Sequence, residues 1–589
     1  MAGIGMVLDI ATTALSAQQQ SINVTAHNIA NVNTEGYSRQ SPDLETKQPM
    51  MTNGLIMGRG VNVDQVTQAG DRFIENRLMQ EKSNLSSSSE MEKYMQVLEG
   101  YFNENSDTGL STMLTDFWNG WYDISNNPSG SAERSSLYEH SALLAEKFNE
   151  SGNDLTQVES DLTNAVSSGI ETINQITNQI AQLNNQIVGM EADNTANDLR
   201  DKRNALVSKL NEYLDVKTFN QSNGSLTIIT AKGCTLVQDS SSYELEMGGS
   251  NGDRVIWQDS SGRDVDITND VNNGKLGGWL DMRDEAVGKY QLDLDALAKE
   301  FIWSVNQQHS QGVGLEGFSS VTGSNVVSDT GKGLGTFDSG LDYYDKMIDG
   351  AFNLWIYDAN GDVVGGSANP ITIDAGTTTL TDLRNKINTA ATNISAPITA
   401  SISDGKLTID AGSGYTFAFS DDTSNVLAAL GINTFFTGSS AGNMGVNDAI
   451  GLNLNNIAAG QVGDDGAIAA GSNVNALAVT DLQNTKISIS QWTCDRINGN
   501  TEGRTTSTIE DYYHSMVGAI GIASASVSRD KTFSETMVNE ISSIRDSISG
   551  VSLDEELTNL IKYQHAYAAA TKLISTSDEM LSTLLEVKK

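Results

Sequence analysis

The sequence predicts an α+β multi-domain protein: a terminal α-helical coiled-coil pair, a helical middle domain with a small β part, and an inserted β-rich outer domain. Three observations predict it. Apolar residues at both ends of the chain recur in alternating steps of four and three. Residues 70–215 follow a helical period almost throughout. From Val216 the period falls to two, and 311–485 becomes rich in Gly, Ser, Thr, Asn and Asp. A chain of 589 residues is also long enough to require several cores.

The first element is a helix whose stripe runs Ile4, Leu8, Ala11, Leu15, Gln18, Ile22, Thr25, Ile29, Val32. Its counterpart at the other end runs Leu553, Leu557, Leu560, Gln564, Tyr567, Thr571, Ile574, Asp578, Leu581, Leu585. Stripes this narrow suit helix pairing, so the two ends are expected to pair with each other or with copies of themselves. The predicted assembly seam is Ile4, Leu8, Leu15, Ile22 and Ile29 with Leu553, Leu557, Leu560, Tyr567, Ile574, Leu581 and Leu585. So few apolar positions hold a lone helix pair weakly, and these ends are expected to become ordered only against neighbouring subunits.

Between them, Ile170, Ile173, Ile176, Ile180, Leu183 and Ile187 line one helical face, and Leu199, Leu206, Leu210 and Leu214 another. Strands are expected near 216–270, then a helix over about 283–308. In the β-rich stretch, Asn360-Gly361 signals a type I′ hairpin. Helical pattern returns near Ile509 and breaks at Gly550. This order nests the domains: 1–52 with 548–589 form the inner one, 53–310 with 486–547 the middle one, and 311–485 the insertion.

Composition excludes several functions. With 36 Lys+Arg against 75 Asp+Glu, the formal charge of −39 repels nucleic acid and anionic membranes. No window approaches the ~18 apolar residues of a membrane span, and no Sec-type signal is legible at the N-terminus. Cys234 and Cys494 are too few and too far apart for a disulfide framework, and whether they pair stays open.

Catalytic and cofactor motifs fail on context. His27, His140, His309, His514 and His565 lie in no zinc-ligand spacing. "GVGLEG" at 312–317 follows a helix where the dinucleotide fingerprint needs a strand, and reads as a flexible joint. "DANGD" at 358–362 lacks the glycine and terminal glutamate of a calcium loop. No enzyme activity, metal or cofactor is expected.

One stretch remains, "HNIANVNTEGYSRQ" at 27–40. Here Asn28, Asn31 and Asn33 can bond nearby backbone, Gly36 permits a left-handed turn and Tyr37 can pack at a corner, which would turn the chain from the first helix outward. Ala30, Asn31, Thr34, Gly36 and Tyr37 match A-N-x-x-T-x-G-Y, and the stretch resembles the N-terminal signature of the bacterial flagellar axial proteins, the family of rod, hook and hook-associated proteins. "NDLRDKRNALVSKLNEYLDV" at 197–216 and the segment 272–312 resemble the middle domain of the junction-forming hook-associated members. Residues 550–585 are similar to the family's C-terminal helix. Lys202 and Asn204 depart from the usual L-x-D-Q-R-D form, and 320–480 offers no specific motif.

The resemblance implies a structural, self-assembling component of the bacterial flagellum at the junction between hook and filament, extracellular and exported uncleaved by the flagellar type III apparatus. It implies copies of the chain itself, hook protein, hook-associated protein 3 and an export chaperone at the C-terminal helix as partners. Another axial protein, a hook protein or filament cap, and a secreted adhesin using the β-rich domain are the alternatives.

Overall fold

A computed structural model describes residues 2–34, 36–52, 55–103, 109–191, 195–250 and 252–586. In chain order, α1 (Ala2–Ala30) is followed by β1 (Gln40–Thr46), β2 (Met50–Thr52), β3 (Leu55–Met57) and β4 (Val61–Gln68). Four helices come next: α2 (Arg72–Tyr101), α3 (Leu110–Asn126), α4 (Ser131–Met190) and α5 (Asn197–Tyr213). A strand run follows: β5 (Val216–Asn220), β6 (Leu226–Thr230), β7 (Thr235–Gln238), β8 (Ser241–Ser242), β9 (Leu245–Gly248), β10 (Arg254–Gln258) and β11 (Asp264–Asp266). Then α6 (Gly274–Asp281) continues through a π-helical turn, Met282–Val287, into α7 (Gly288–Ser310).

The next stretch contains β12 (Ser320–Thr322), β13 (Gly350–Tyr357), β14 (Asn369–Ile373), α8 (Leu380–Asn393), β15 (Thr399–Ser403), β16 (Lys406–Asp410) and β17 (Thr416–Ser420). It goes on through α9 (Val426–Leu430), β18 (Phe436–Thr437), β19 (Gly445–Val446), α10 (Asp448–Leu452) and α11 (Val474–Asp481). The chain closes with β20 (Ile487–Thr493), β21 (Thr501–Ser507), α12 (Ile509–Ser549) and α13 (Leu553–Glu586). The predicted strand region, the change to a helix before 310 and the break at Gly550 all fall where the pattern put them.

By contacts the chain forms two compact units, one of residues 1–93, 162–282 and 525–589, the other of 94–161 and 283–524. In the first, β1 and β4 pair antiparallel from Gln40↔Gln68 to Thr46↔Val61, with a bulge at Asp43/Leu44, and pack on α1. Gly60, just before β4, has φ +99, and a Cβ there would sit 2.2 Å from Thr13 Oγ1 and 3.2 Å from the Ile10 Cα. We expect Gly60→Ala to lower the stability of this unit by about 1–3 kcal/mol in urea unfolding, because the Ile10 backbone cannot rotate away.

The sheet β5-β6-β7-β8 and the sheet β11-β10-β9 are pinned to α4 by two asparagines. Buried Asn184 donates to the Leu226 and Asp239 carbonyls and accepts from the Leu226 N–H and from Arg203. Asn174 makes a matched pair of bonds with the Leu245 backbone. A buried amide satisfied on both atoms fixes register, which the smooth apolar face of Ile173, Ile180 and Ile187 beside it cannot do alone.

In the second unit the sheets β14-β13-β17 and β12-β16-β15 sit with α8, and the hairpin β20–β21 lies on α7. The insertion shares its core with the helices. Phe117 and Trp121 of α3 and Phe301 of α7 meet Phe435 and Phe436, with ring centroids 5.3–6.0 Å apart in the helix–insertion and helix–helix pairs. The three ranges read from the sequence therefore do not coincide with the two units, because this aromatic cluster spans the border drawn at 310. Arg134, 1% exposed, is held without a carboxylate by the carbonyls of Pro128, Leu454 and Ile457, and burial lowers its pKa to about 10.

Two local expectations are corrected. Residues 312–317 are no flexible joint: Val313 pairs with Gly460, the Leu315 N–H donates to the Asn455 carbonyl, and a Cβ at Gly314 would lie 2.0 Å from that oxygen. The turn at 358–362 is not type I′, since Asn360 does not take positive φ while Gly361 does, at +85. The bonds Gly361 N–H to Asp358 O and Asp358 N–H to Asp362 O make it a type I turn closed by a left-handed glycine.

His309 is fully buried, donates from Nδ1 to the Asn433 carbonyl at 2.8 Å and accepts the Ala458 N–H on Nε2 at 2.9 Å. The accepted backbone N–H fixes the neutral Nδ1–H tautomer, and burial holds the pKa down to about 4. The native state therefore binds fewer protons than the unfolded chain between pH 6.5 and 4. Stability is complete above pH 6.5 and falls by about 3 kcal/mol as the pH drops through that window. Urea midpoints measured across it are expected to show this slope, and His309→Gln to flatten it.

Candidate functional site

The motif stretch forms a corner. Helix α1 stops at Ala30 because Asn31 turns its side chain back, Nδ2 donating to the His27 carbonyl at 3.0 Å. Successive turns follow, with the Thr34 N–H on Asn31 O and the Tyr37 N–H on Thr34 O, and Gly36 takes φ +77. The Tyr37 ring lies edge-on to His27, centroids 5.6 Å apart, and its hydroxyl donates to Asn28 Oδ1 at 2.7 Å.

Asn28, 1% exposed, is the hub. Its Oδ1 accepts from Tyr37 and from the Gln40 N–H at 3.0 Å, and its Nδ2 donates to the Gln40 carbonyl at 2.8 Å and to Glu556 Oε2 at 3.0 Å. Glu556, 2% exposed, takes Arg39 Nε on its other oxygen at 2.8 Å, while the Arg39 guanidinium also reaches Glu555 at 2.7 Å. The first helix, the start of β1 and the start of α13 are thus tied at one point.

Helix α5 closes the corner from another side. Asp198 Oδ1 accepts from Gln40 Nε2 at 3.0 Å and faces His27 Nε2 at 3.2 Å; Asp201 accepts from Gln68 and from the Ser38 N–H. Burial raises the Asp201 pKa, against the hydrogen bonds from Ser38 and Gln68 that lower it. Burial, then Asp198, Asp201 and Glu556, push the Tyr37 phenol well above the ordinary tyrosine range, so it stays a donor. The segments 27–40, 197–204 and 550–585, singled out separately in the sequence, converge here. Asp198, Asp201, Arg39 and Glu556 were not recognised, because charged residues in an acidic chain give no signal until the fold brings them together.

Away from the corner, α1 and α13 pack along each other, and the meeting of Asn28 near the end of α1 with Glu556 near the start of α13 makes them antiparallel. The observed positions differ from the predicted stripes by a regular offset. On α13 buried or half-buried residues step 556, 560, 563, 567, 570, 574, 577, 581, with Asn559 and Ala566 half-buried beside them, so Leu560, Tyr567, Ile574 and Leu581 lie on the pairing face. Alternate positions move back by one: Glu556, Tyr563, Ala570 and Ser577 replace Leu557, Gln564, Thr571 and Asp578.

On α1, Ala11 and Thr25 of the predicted stripe are buried, while Ser21 and Asn28 take the places expected for Ile22 and Ile29. Ile4, Leu8, Leu15, Ile22 and Ile29 are half-buried flanks. Leu553, Leu557 and Leu585 are exposed, Leu585 by 65%. Small side chains are prominent among the buried positions, Ala11, Ala17, Ser21 and Thr25 beside Val24 on α1 and Ala570 and Ser577 on α13, while the larger predicted residues sit half-buried beside them or exposed. Of the motif residues, Ala30 and Thr34 are exposed and Asn31 and Tyr37 half-buried.

Among the described residues no group of three or more His, Cys, Asp or Glu could hold a metal ion, and no helix is long and apolar enough to cross a membrane. Cys234 and Cys494 are free thiols.

Three family models match in chain order. The flagella basal body rod protein model covers residues 8–37, the helical domain of flagellar hook-associated protein FlgK covers 95–326, and the C-terminal model of the flagellar basal body rod FlgEFG proteins covers 545–587. Flagellar hook-associated protein 1 of Bacillus subtilis is 26% identical over 615 residues, 98% of this chain and 97% of that protein. Its counterpart in Escherichia coli is 26% identical over 603 residues, 99% and 100%.

The chain is similar over nearly its whole length to the flagellar hook-associated protein family.

A solved structure of the flagellar hook junction protein FlgK from Burkholderia pseudomallei shares the fold, with TM-score 0.52 and 18% identity over 80% of this chain and 100% of that one. The family is structural, not enzymatic, and self-assembles within the axial structure of the flagellum. The first and third matched segments carry the two helices of the antiparallel pair, so the part matched by the basal body rod models is the part that Asn28 and Glu556 lock together.

Proposed function

We propose that this chain builds the junction between flagellar hook and filament, its terminal helix pair forming the inner layer of a ring or tube of identical subunits. The observation that carries the reading is the uncovered apolar surface on α13. Leu553, Leu557, Ile561, Leu573, Met580 and Leu585 remain exposed after α1 and α13 have paired. A chain of formal charge −39 associates only through such local apolar contact, and head-to-tail packing of copies covers it. Tyr37 and the corner direct the chain from this layer outward.

The same reading assigns hook protein to one axial face and hook-associated protein 3 to the other. An export chaperone covers α13 before assembly, and the chain leaves uncleaved through the flagellar type III apparatus to an extracellular position. Deleting the gene in its own organism tests it. Bare hooks, with flagellin lost to the medium, are the expected result; normal filaments would overturn the junction assignment.

A further inference from the structure

We infer that Glu556 is a positioning residue through which docking of α13 orders the β1–β4 hairpin. The hairpin begins at residue 40, and the two residues before its first ladder bonds are held mainly from the C-terminal end of the chain. The Arg39 backbone N–H donates to the Ser549 carbonyl at 2.9 Å, one residue before the break that precedes α13. The Arg39 side chain is paired with Glu555 and Glu556, and its carbonyl accepts the Ala69 N–H at 2.8 Å, closing the base of the hairpin.

Gln40 itself is clamped on both backbone groups by Asn28, whose remaining donor is spent on Glu556. With α13 undocked, Asn28 Nδ2 loses one of its two acceptors and the Arg39 guanidinium loses both carboxylates at once. Nothing else among the described bonds replaces them. The base of β1 then keeps the Asn28 clamp on Gln40, the Ser549 and Ala69 bonds to the Arg39 backbone and the Asp198 and Asp201 contacts, but loses every side-chain bond that reached α13. Beyond that base β1 and β4 lean on α1, and the hairpin runs on into β2 and β3, where Met50, Met51, Ile56 and Met57 are all exposed and give its outer end little covering.

The inference concerns the free chain, so its failure and that of the junction reading are distinguishable. Amide exchange of the full-length monomer tests it, with the β13 amides of the other unit as an internal fold control. Glu556→Ala is expected to speed exchange of the Gln40 and β1–β4 amides at least tenfold, since a buried charged partner is removed. Glu556→Gln, which keeps an acceptor for Asn28, returns part of the protection.

Ala570→Glu loosens the helix pair ~21 Å along α13 while leaving Glu556 chemically intact, and is expected to speed the same amides. Ala570→Leu is the milder version should β13 also respond. Unchanged hairpin exchange in both Glu556→Ala and the position-570 variant would overturn the inference. So would a response to Glu556→Ala alone, which makes Glu556 a local prop, or to position 570 alone, which routes the coupling elsewhere.

Discussion

Replacing Leu553, Leu557 and Leu585 together by serine is expected to leave the free chain folded and to stop its incorporation into flagella. All three side chains are already in contact with water in the single chain, so their loss removes no internal packing. If copies cover them in the assembly, each contributes roughly 1.5–3 kcal/mol per subunit contact, and a ring needs every contact. The matched control is Leu560, Ile574 and Leu581, half-buried on the face toward α1. Serine there unpairs the helices within the monomer, which circular dichroism and amide exchange detect before any assembly is attempted. Wild-type motility and filament number with the exposed triple would remove the apolar surface as the basis of assembly.

Asn28→Ala is expected to lower the stability of the first unit by about 4 kcal/mol. The substitution strips partners from the Tyr37 hydroxyl, both backbone groups of Gln40 and one Glu556 oxygen, and each buried polar group left alone costs about 1–3 kcal/mol, less than additively. Asn31→Ala, at a half-buried neighbour whose bonds stay within the turn, is expected to lose under about 1 kcal/mol. Urea unfolding followed by amide exchange of residues 27–40 separates the two. Equal effects would mean that the corner is held by the turn and not by its links to α13.

Much of this fold was legible because periodicity reports burial. The pairing of the termini, the strands after Val216 and the break at Gly550 all follow from it. The exact seam was not, and the reason lies in particular residues. The predicted seam runs through Leu15, Ile22, Leu557 and other large apolar positions, whereas the buried positions include Ala11 and Thr25, which lie on the predicted stripe, and Ser21, Val24, Ala570 and Ser577, which do not. Hydrophobicity marks what a helix would bury; side-chain size decides how near a second backbone comes, and here size set the register.

The corner was half legible. Gly36 and Tyr37 announce a turn by their chemistry, and Asn28 announces an unmet need for partners. Its remote partner Glu556, and Asp198 and Asp201 that bond the neighbouring Gln40 and Ser38, lie more than 150 positions away, where no local pattern singles them out. The packing of the insertion was hidden for a related reason. Phe435 and Phe436 carry no motif in the sequence, and they pack on Phe117 and Phe301 of distant helices.

The hydrogen bond between Asn28 and Glu556 joins positions 528 apart in the chain. Closing a loop of that length in an unstructured polypeptide costs about 5–6 kcal/mol of chain entropy, too much for one corner to recover early. Once 94–524 have folded, most of the tether is consumed in compact structure and the remaining closure is short. The joining of the two ends is therefore expected late in folding, after the segments between them. A chain with an unfolded interior faces the whole closure cost, so its helix pair is harder to complete and premature subunits are disfavoured as partners.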